Sequence, residues 1–211
     1  TDDGKTEKTS IFQFPQLILG VITLFMYVGV EVIAGDSIIA YGLSLGLPVE
    51  QAKWFTTFTL FAMVGPYALG VILIPKVISQ KTALLLSGLL GIVISLVIVN
   101  TSGFTSVLLV ASLGIANALV WPAVWPLALD GLGKFTKTAA AFLIMAISGG
   151  AILTPLYGRL VDYLNEVYLS GGMEEAAAMS QSANQGYWIL LPAYIIIFLY
   201  AIKGHKIKSW S

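Results

Sequence analysis

The chain has 211 residues, 57% of them hydrophobic and only 10% charged, with 11 Lys plus Arg balanced by 11 Asp plus Glu. A soluble domain carries about 25% charged residues, so this composition is that of an integral membrane protein, and the mean hydropathy of +0.88 is the opposite of a disorder signature. There is no basic excess to neutralise nucleic-acid phosphates, and the lack of Cys excludes disulfide scaffolds, thiolate zinc sites and Cys-ligated iron–sulfur clusters.

Crossing a bilayer takes about 20 apolar residues at 1.5 Å each. After a polar segment at 1–12, the first such stretch runs over about 14–42 and contains Glu31 and Asp36. The second covers about 53–75. The charge-free run from Thr82 to Leu129 is 48 residues long, too long for one crossing. The turn signal Asn100-Thr101-Ser102-Gly103 divides it, giving spans at about 81–99 and 105–128. A fifth span is expected at about 137–162 and a sixth at about 186–203, with a tail at 204–211. The segment from Asp162 to Gly186 is expected to be a long loop with a short surface helix over Met173 to Met179. The expected fold class is therefore all-α, with six transmembrane helices. A β-barrel would alternate apolar and polar residues within each strand, whereas these runs are continuous. The first span follows a mixed-charge tail and has no small-residue cleavage pattern, so it is not read as a signal peptide.

Six spans place both termini on one side. That side holds Lys5, Lys8, Lys76, Lys81, Lys134, Lys137, Lys203, Lys206 and Lys208; the other holds Lys53 and Arg159. The positive-inside rule then predicts cytoplasmic termini in a multi-pass protein of the inner (plasma) membrane.

Glu31 lies 17 residues beyond Phe14, roughly 25 Å along a helix. A carboxylate at membrane depth costs at least several kcal/mol unless it faces a wet cavity or binds a proton. Tyr27, four residues earlier, shares its helix face. The pair is a candidate patch for hydrogen-bonding a hydrophilic solute, and Glu31 is the candidate for coupling-ion binding. A structural carboxylate reaching interfacial water is the competing role, and it is the favoured one for Asp36.

In the fourth span Asn117, Trp121 and Trp125 recur every four residues and line one face. Pro122 and Pro126 each remove a backbone donor and are expected to bend that helix. An amide beside stacked indoles suits a sugar: the amide bonds hydroxyls, and the flat ring packs on the apolar face of a pyranose. An interfacial aromatic belt is the alternative, strongest for Trp125. The fifth span carries Gly149, Gly150, Thr154 and Gly158 in a small-residue stripe that lets helices approach closely, and Pro155 is expected to kink it. His205, the sole His, falls in the Lys-rich tail and reads as solvated. With no His inside a span and no phosphate-binding loop, enzymatic chemistry has no support, and neither a metal nor an organic cofactor is expected.

These residues carry a family resemblance. Tyr27-Val-Gly-Val-Glu31, Ala52-Lys-Trp54 and Pro75-Lys76, with Asn117 to Trp125, Leu127-Ala-Leu129, Gly131-Leu-Gly133, Thr136-Lys137 and Ser148 to Ile152 followed by Pro155, Gly158 and Asp162, resemble the C-terminal half of the major facilitator sugar symporters. Within that superfamily they are similar to the fucose and glucose/galactose cation symporters, from about Phe14 to Lys203. The loop between the second and third spans departs from the superfamily's Gly-x-x-x-Asp-Arg-x-Gly-Arg motif: only Gly65, Gly70, Lys76 and Lys81 remain, and Pro66 stands where Arg is common.

The resemblance implies one six-helix bundle built from inverted three-helix repeats, with its first and fourth helices lining a cavity. It implies uptake of a monosaccharide coupled to H⁺ or Na⁺. Its expected partners are the sugar, membrane lipid and an N-terminal six-helix bundle, the 1–12 segment being the end of the linker to it. Alternatives are a facilitator of another solute (drug, nucleoside or peptide) and a non-transporting six-span receptor or assembly subunit.

Overall fold

The computed structural model describes residues 9–74 and 76–210. Lys5, Lys8 and most of the expected linker, together with Pro75, lie outside the described residues. Six helical rods are long and apolar enough to cross a membrane: α1 (Pro15–Ser44), α2 (Val49–Leu73), α3 (Gln80–Val99), α4 (Gly103–Leu129), α5 (Gly133–Ser170) and α6 (Glu175–Lys206).

Local sequence explains the helix starts. Pro15 opens α1 at a position where its missing N–H costs nothing. Just upstream, Ser10 and Gln13 form a reciprocal capping box. Ser79 caps α3 by accepting the Thr82 amide at 3.1 Å. Gly103 (φ +68°) turns the chain between α3 and α4, a conformation that only glycine adopts without strain.

Four rods are interrupted, α2 only near its start, where Lys53–Trp54 separate Val49–Ala52 from Phe55–Leu73. Rod α4 divides into α4a (Gly103–Asn117) and α4b (Val120–Leu129). Rod α5 divides into α5a (Thr136–Met145) and α5b (Ser148–Ser170). Rod α6 divides into α6a (Glu175–Gly186) and α6b (Leu190–Ile202), joined by a 3₁₀ turn at Tyr187–Ile189.

The rods pack mainly as α1 on α5, α4 on α2 and α3 on α6. Exchanging the first three rods for the last three maps α1–α5 onto α4–α2 and α3–α6 onto itself, which is the pairing an inverted repeat requires. Bilayer lipid is as apolar as Leu, so close van der Waals packing and hydrogen bonds hold such helices together. Glycine permits the closest approach in both halves. A Cβ at Gly149 would sit 1.9 Å from the Phe25 carbonyl oxygen on α1, and one at Gly114 would sit 2.2 Å from the Thr59 carbonyl oxygen on α2.

The structure corrects two expectations. The segment from Asp162 to Gly186 is not a loop: α5b continues to Ser170, turns at Gly171–Gly172, and α6a begins at Glu175. Arg159, Asp162 and Glu166 end the apolar run without ending the helix, because charge limits burial in lipid and not helix formation. The hairpin is packed, with Tyr157 donating to the Ala183 carbonyl at 3.0 Å. The break in α5 also falls at Ala146–Ile147, where amides reach back three residues instead of four. The helix runs unbroken through the exposed Pro155.

Asn184 on α6a fastens the α3–α4 turn. Its Nδ2 lies within 3.1 Å of four acceptors: the Tyr41 hydroxyl, the Ser106 hydroxyl and the carbonyls of Ile98 and Thr101. Replacing Asn184 with Leu removes both donors and strands buried carbonyls, at a cost of about 1–3 kcal/mol. The expected result is a lower midpoint for heat-induced loss of the monodisperse species in detergent. An unchanged midpoint would show that the turn is held by packing alone.

Candidate functional site

The break in α4 follows from Pro122. Without an amide hydrogen at Pro122, the Ala118 carbonyl has no donor four residues on, and the proline ring crowds that same carbonyl. The helix accordingly stops at Asn117 and resumes at Val120. Pro126, by contrast, sits inside α4b without ending it. Interrupted backbone at membrane depth is tolerated only where protein or a water-filled cavity covers it.

Four rods meet around this break. Asn117 is fully buried, and its Oδ1 accepts the Tyr194 hydroxyl of α6b at 2.8 Å. Its Nδ2 has no hydrogen-bond partner among the described residues. On α1 the buried Tyr27 lies beside the half-buried Glu31, one helical turn apart. Tyr27 also lies within electrostatic reach of Tyr194 and of Tyr67 on α2. Its ring leans on Trp121 at 6.5 Å between centroids. Trp121 stacks on Trp125 at 5.6 Å with the planes 28° apart.

The structure thus gathers Tyr27, Glu31, Asn117, Trp121 and Trp125 into one continuous polar and aromatic track. A cleft lined by Tyr67, Gly70, Leu119 and Pro122 opens beside it. The neighbour of Glu31 one turn back is the phenol of Tyr27. The Glu31 carboxyl can accept from Tyr27 when ionised, and when protonated it offers a donor of its own.

Tyr67 and Tyr194 are not legible as site residues from sequence. The signal for Tyr194 is indirect: a buried amide in α4 needs a partner. Asp36 is exposed and its neighbour Ser37 bonds Tyr187 at 2.9 Å, so Asp36 stands apart from the track.

Gly149 and Gly150 lie against α1, beside Phe25 and Val32. A methyl group at Gly158 would meet nothing within 4 Å, so this glycine makes no close approach to the described residues of the bundle. The Thr154 hydroxyl oxygen is buried and has no partner among the described residues. His205 is not simply solvated. Its Nδ1 lies 3.0 Å from the Tyr200 carbonyl oxygen, and its ring meets Tyr200 edge-on.

A chain of six spanning rods with interrupted helices meeting at a polar midpoint has the architecture of a secondary transporter half. The fold is that of the major facilitator superfamily transporter FucP, solved in an outward conformation (TM-score 0.75, 21% identity, 90% of this chain and 42% of that one). A second structure, of the Escherichia coli fucose:proton symporter FucP, superposes over 90% of the chain with a TM-score of 0.73.

Sequence relatives lie in the same class. A glucose/galactose transporter of Brucella abortus is 31% identical over 160 residues, covering 72% of this chain and 38% of its own length. An L-fucose–proton symporter of Haemophilus influenzae is 24% identical over 203 residues, covering 96% and 45%. No protein-family model matches the chain. The chain is a half-length homologue of these sugar transporters, spanning less than half of their sequences. Its relatives are transporters and not enzymes.

Proposed function

We propose that the chain is the C-terminal six-helix bundle of a cation-coupled monosaccharide symporter of the inner membrane, with both termini in the cytoplasm. Sugar crosses by alternating access, as this bundle rocks against an N-terminal bundle about a site near the membrane midplane. H⁺ is the favoured coupling ion, because the L-fucose relative is named a proton symporter and a carboxyl–phenol pair handles protons without a coordination shell.

The observation that carries the reading is the fully buried Asn117, with one amide edge held by Tyr194 and the other without a partner among the described residues, at a break in the helix. An unpaired buried donor is costly, and a sugar hydroxyl is a natural acceptor for it. Tyr27 and Glu31 supply further hydrogen-bonding groups, while Trp121 and Trp125 supply flat surface for a pyranose. Asn117 selects and orients the sugar, and Glu31 carries the coupling proton.

The test is uptake of labelled glucose, galactose and fucose by vesicles containing the complete transporter under imposed proton or sodium gradients. Gradient-driven uptake of at least one sugar is expected. Asn117→Ala is expected to reduce its kcat/KM by about tenfold or more, the loss typical of a hydrogen bond to a buried polar group, with membrane insertion unchanged. No gradient-driven uptake of any of these sugars would overturn the assignment.

A further inference from the structure

Remote from the polar track, a groove of about 400 Å³ runs between α1 and α6 at their Lys-rich end. Its walls are Leu19, Ile22, Ile196, Leu199 and Ile207. The two hydroxyls that border it are turned inward. Thr23 donates to the Leu19 carbonyl at 2.7 Å, and Tyr200 donates to the Gln16 carbonyl at 3.0 Å. The groove therefore offers carbon along its length. It is open on its outer side, where Ile22 is 42% and Leu199 55% exposed.

One end is different. Lys203 lines the groove there, exposed at the C-terminal end of α6b, and Lys206 follows one turn later. Neither lysine forms an ion pair among the described residues, whereas nearby Lys208 bonds Asp130 at 2.6 Å. An apolar groove with the Lys203 ammonium in its wall, and Lys206 one turn beyond, matches a molecule with a hydrocarbon tail and an anionic head.

We infer that this groove is a binding site for an anionic phospholipid, with an acyl chain along α1 and α6 and the headgroup phosphate on Lys203 and Lys206. A neutral apolar ligand would gain nothing from the lysines. A zwitterionic lipid carries a cation of its own, which offsets the attraction. The bound lipid bridges the end of α1, which carries Tyr27 and Glu31, to the end of α6, which carries Tyr194. The site does not depend on the sugar-transport reading.

The experiment is native mass spectrometry of the full-length protein released from nanodiscs containing equal phosphatidylglycerol and phosphatidylcholine. Preferential retention of phosphatidylglycerol is expected. Lys203→Ala should reduce the preference about fivefold, as expected for one lysine acting on an anionic headgroup, and adding Lys206→Ala should reduce it further. Leu199→Trp, which fills the groove from an exposed position, should lower retention of both lipids. Lys81→Ala, at the start of α3 on the same membrane face, should leave retention unchanged. Equal retention of the two lipids would overturn the proposal. So would a preference that survives Lys203→Ala, or one that Lys81→Ala reduces as much, since that would assign it to the basic face as a whole.

Discussion

Glu31→Gln in the complete transporter is expected to abolish sugar accumulation driven by a proton gradient while leaving sugar exchange across the membrane measurable. The amide keeps the shape of the carboxyl and a hydrogen-bond acceptor for Tyr27, but it cannot take up and release a proton. Without a group that takes up the proton, the sugar should only equilibrate across the membrane, with no accumulation above its outside concentration. The pairing of outcomes matters. If exchange falls as far as accumulation, Glu31 holds the sugar and not the proton. If both persist at the level of the unmodified protein, Glu31 belongs to neither, and the carboxyl is a structural group in the middle of α1.

Gly149→Ala is expected to be the most damaging single-methyl addition in the bundle. The new Cβ would fall 1.9 Å from the Phe25 carbonyl oxygen, 2.7 Å from the carbonyl carbon and 3.0 Å from Cα. All three are backbone atoms, so α1 and α5b would have to separate, and no side chain can swing aside. Overpacking typically costs about 1–3 kcal/mol, and backbone displacement places this site at the top of that range.

Gly158→Ala gives the contrast within the same helix. Nothing lies within 4 Å of its Cβ position, and alanine is favoured over glycine in a helix interior by about 1 kcal/mol. The measurement is the midpoint of heat-induced aggregation in detergent, expected to fall for Gly149→Ala and to hold or rise for Gly158→Ala. Equal shifts for the two would mean that the α1–α5 contact is looser than its geometry shows. The same comparison repeated in the complete transporter would reveal whether Gly158 meets the partner bundle.

Much of the candidate site is legible in the sequence, for a specific reason. Tyr27 and Glu31, like Asn117, Trp121 and Trp125, are spaced four apart on single helices, and a 3.6-residue period places such residues on one face whatever surrounds them. That the two faces meet is a tertiary fact, made by Tyr27 resting on Trp121. Tyr194 cannot be found this way, because it lies 77 residues from the Asn117 that it bonds. Pro122 disrupts α4 as its chemistry predicts, whereas Pro155 leaves α5b unbroken. The two differ in surroundings: Pro122 stands at the start of a new helical segment, and Pro155 sits on the exposed side of a continuous helix.

The low charge and continuous apolar runs of this chain determine by themselves that it spans the membrane six times, because the cost of burying charge in hydrocarbon and the length of a helical crossing leave little choice. The same local rules locate its two polar faces. Where the helices stop in space is decided only by the tertiary structure, because a helix keeps its hydrogen bonds after it leaves the lipid. Hence the segment after Asp162 folds as a packed hairpin and not a loop. The tertiary structure alone also decides which glycines are contacts and which amide is left unpaired among the described residues, since both depend on what a distant rod brings against them.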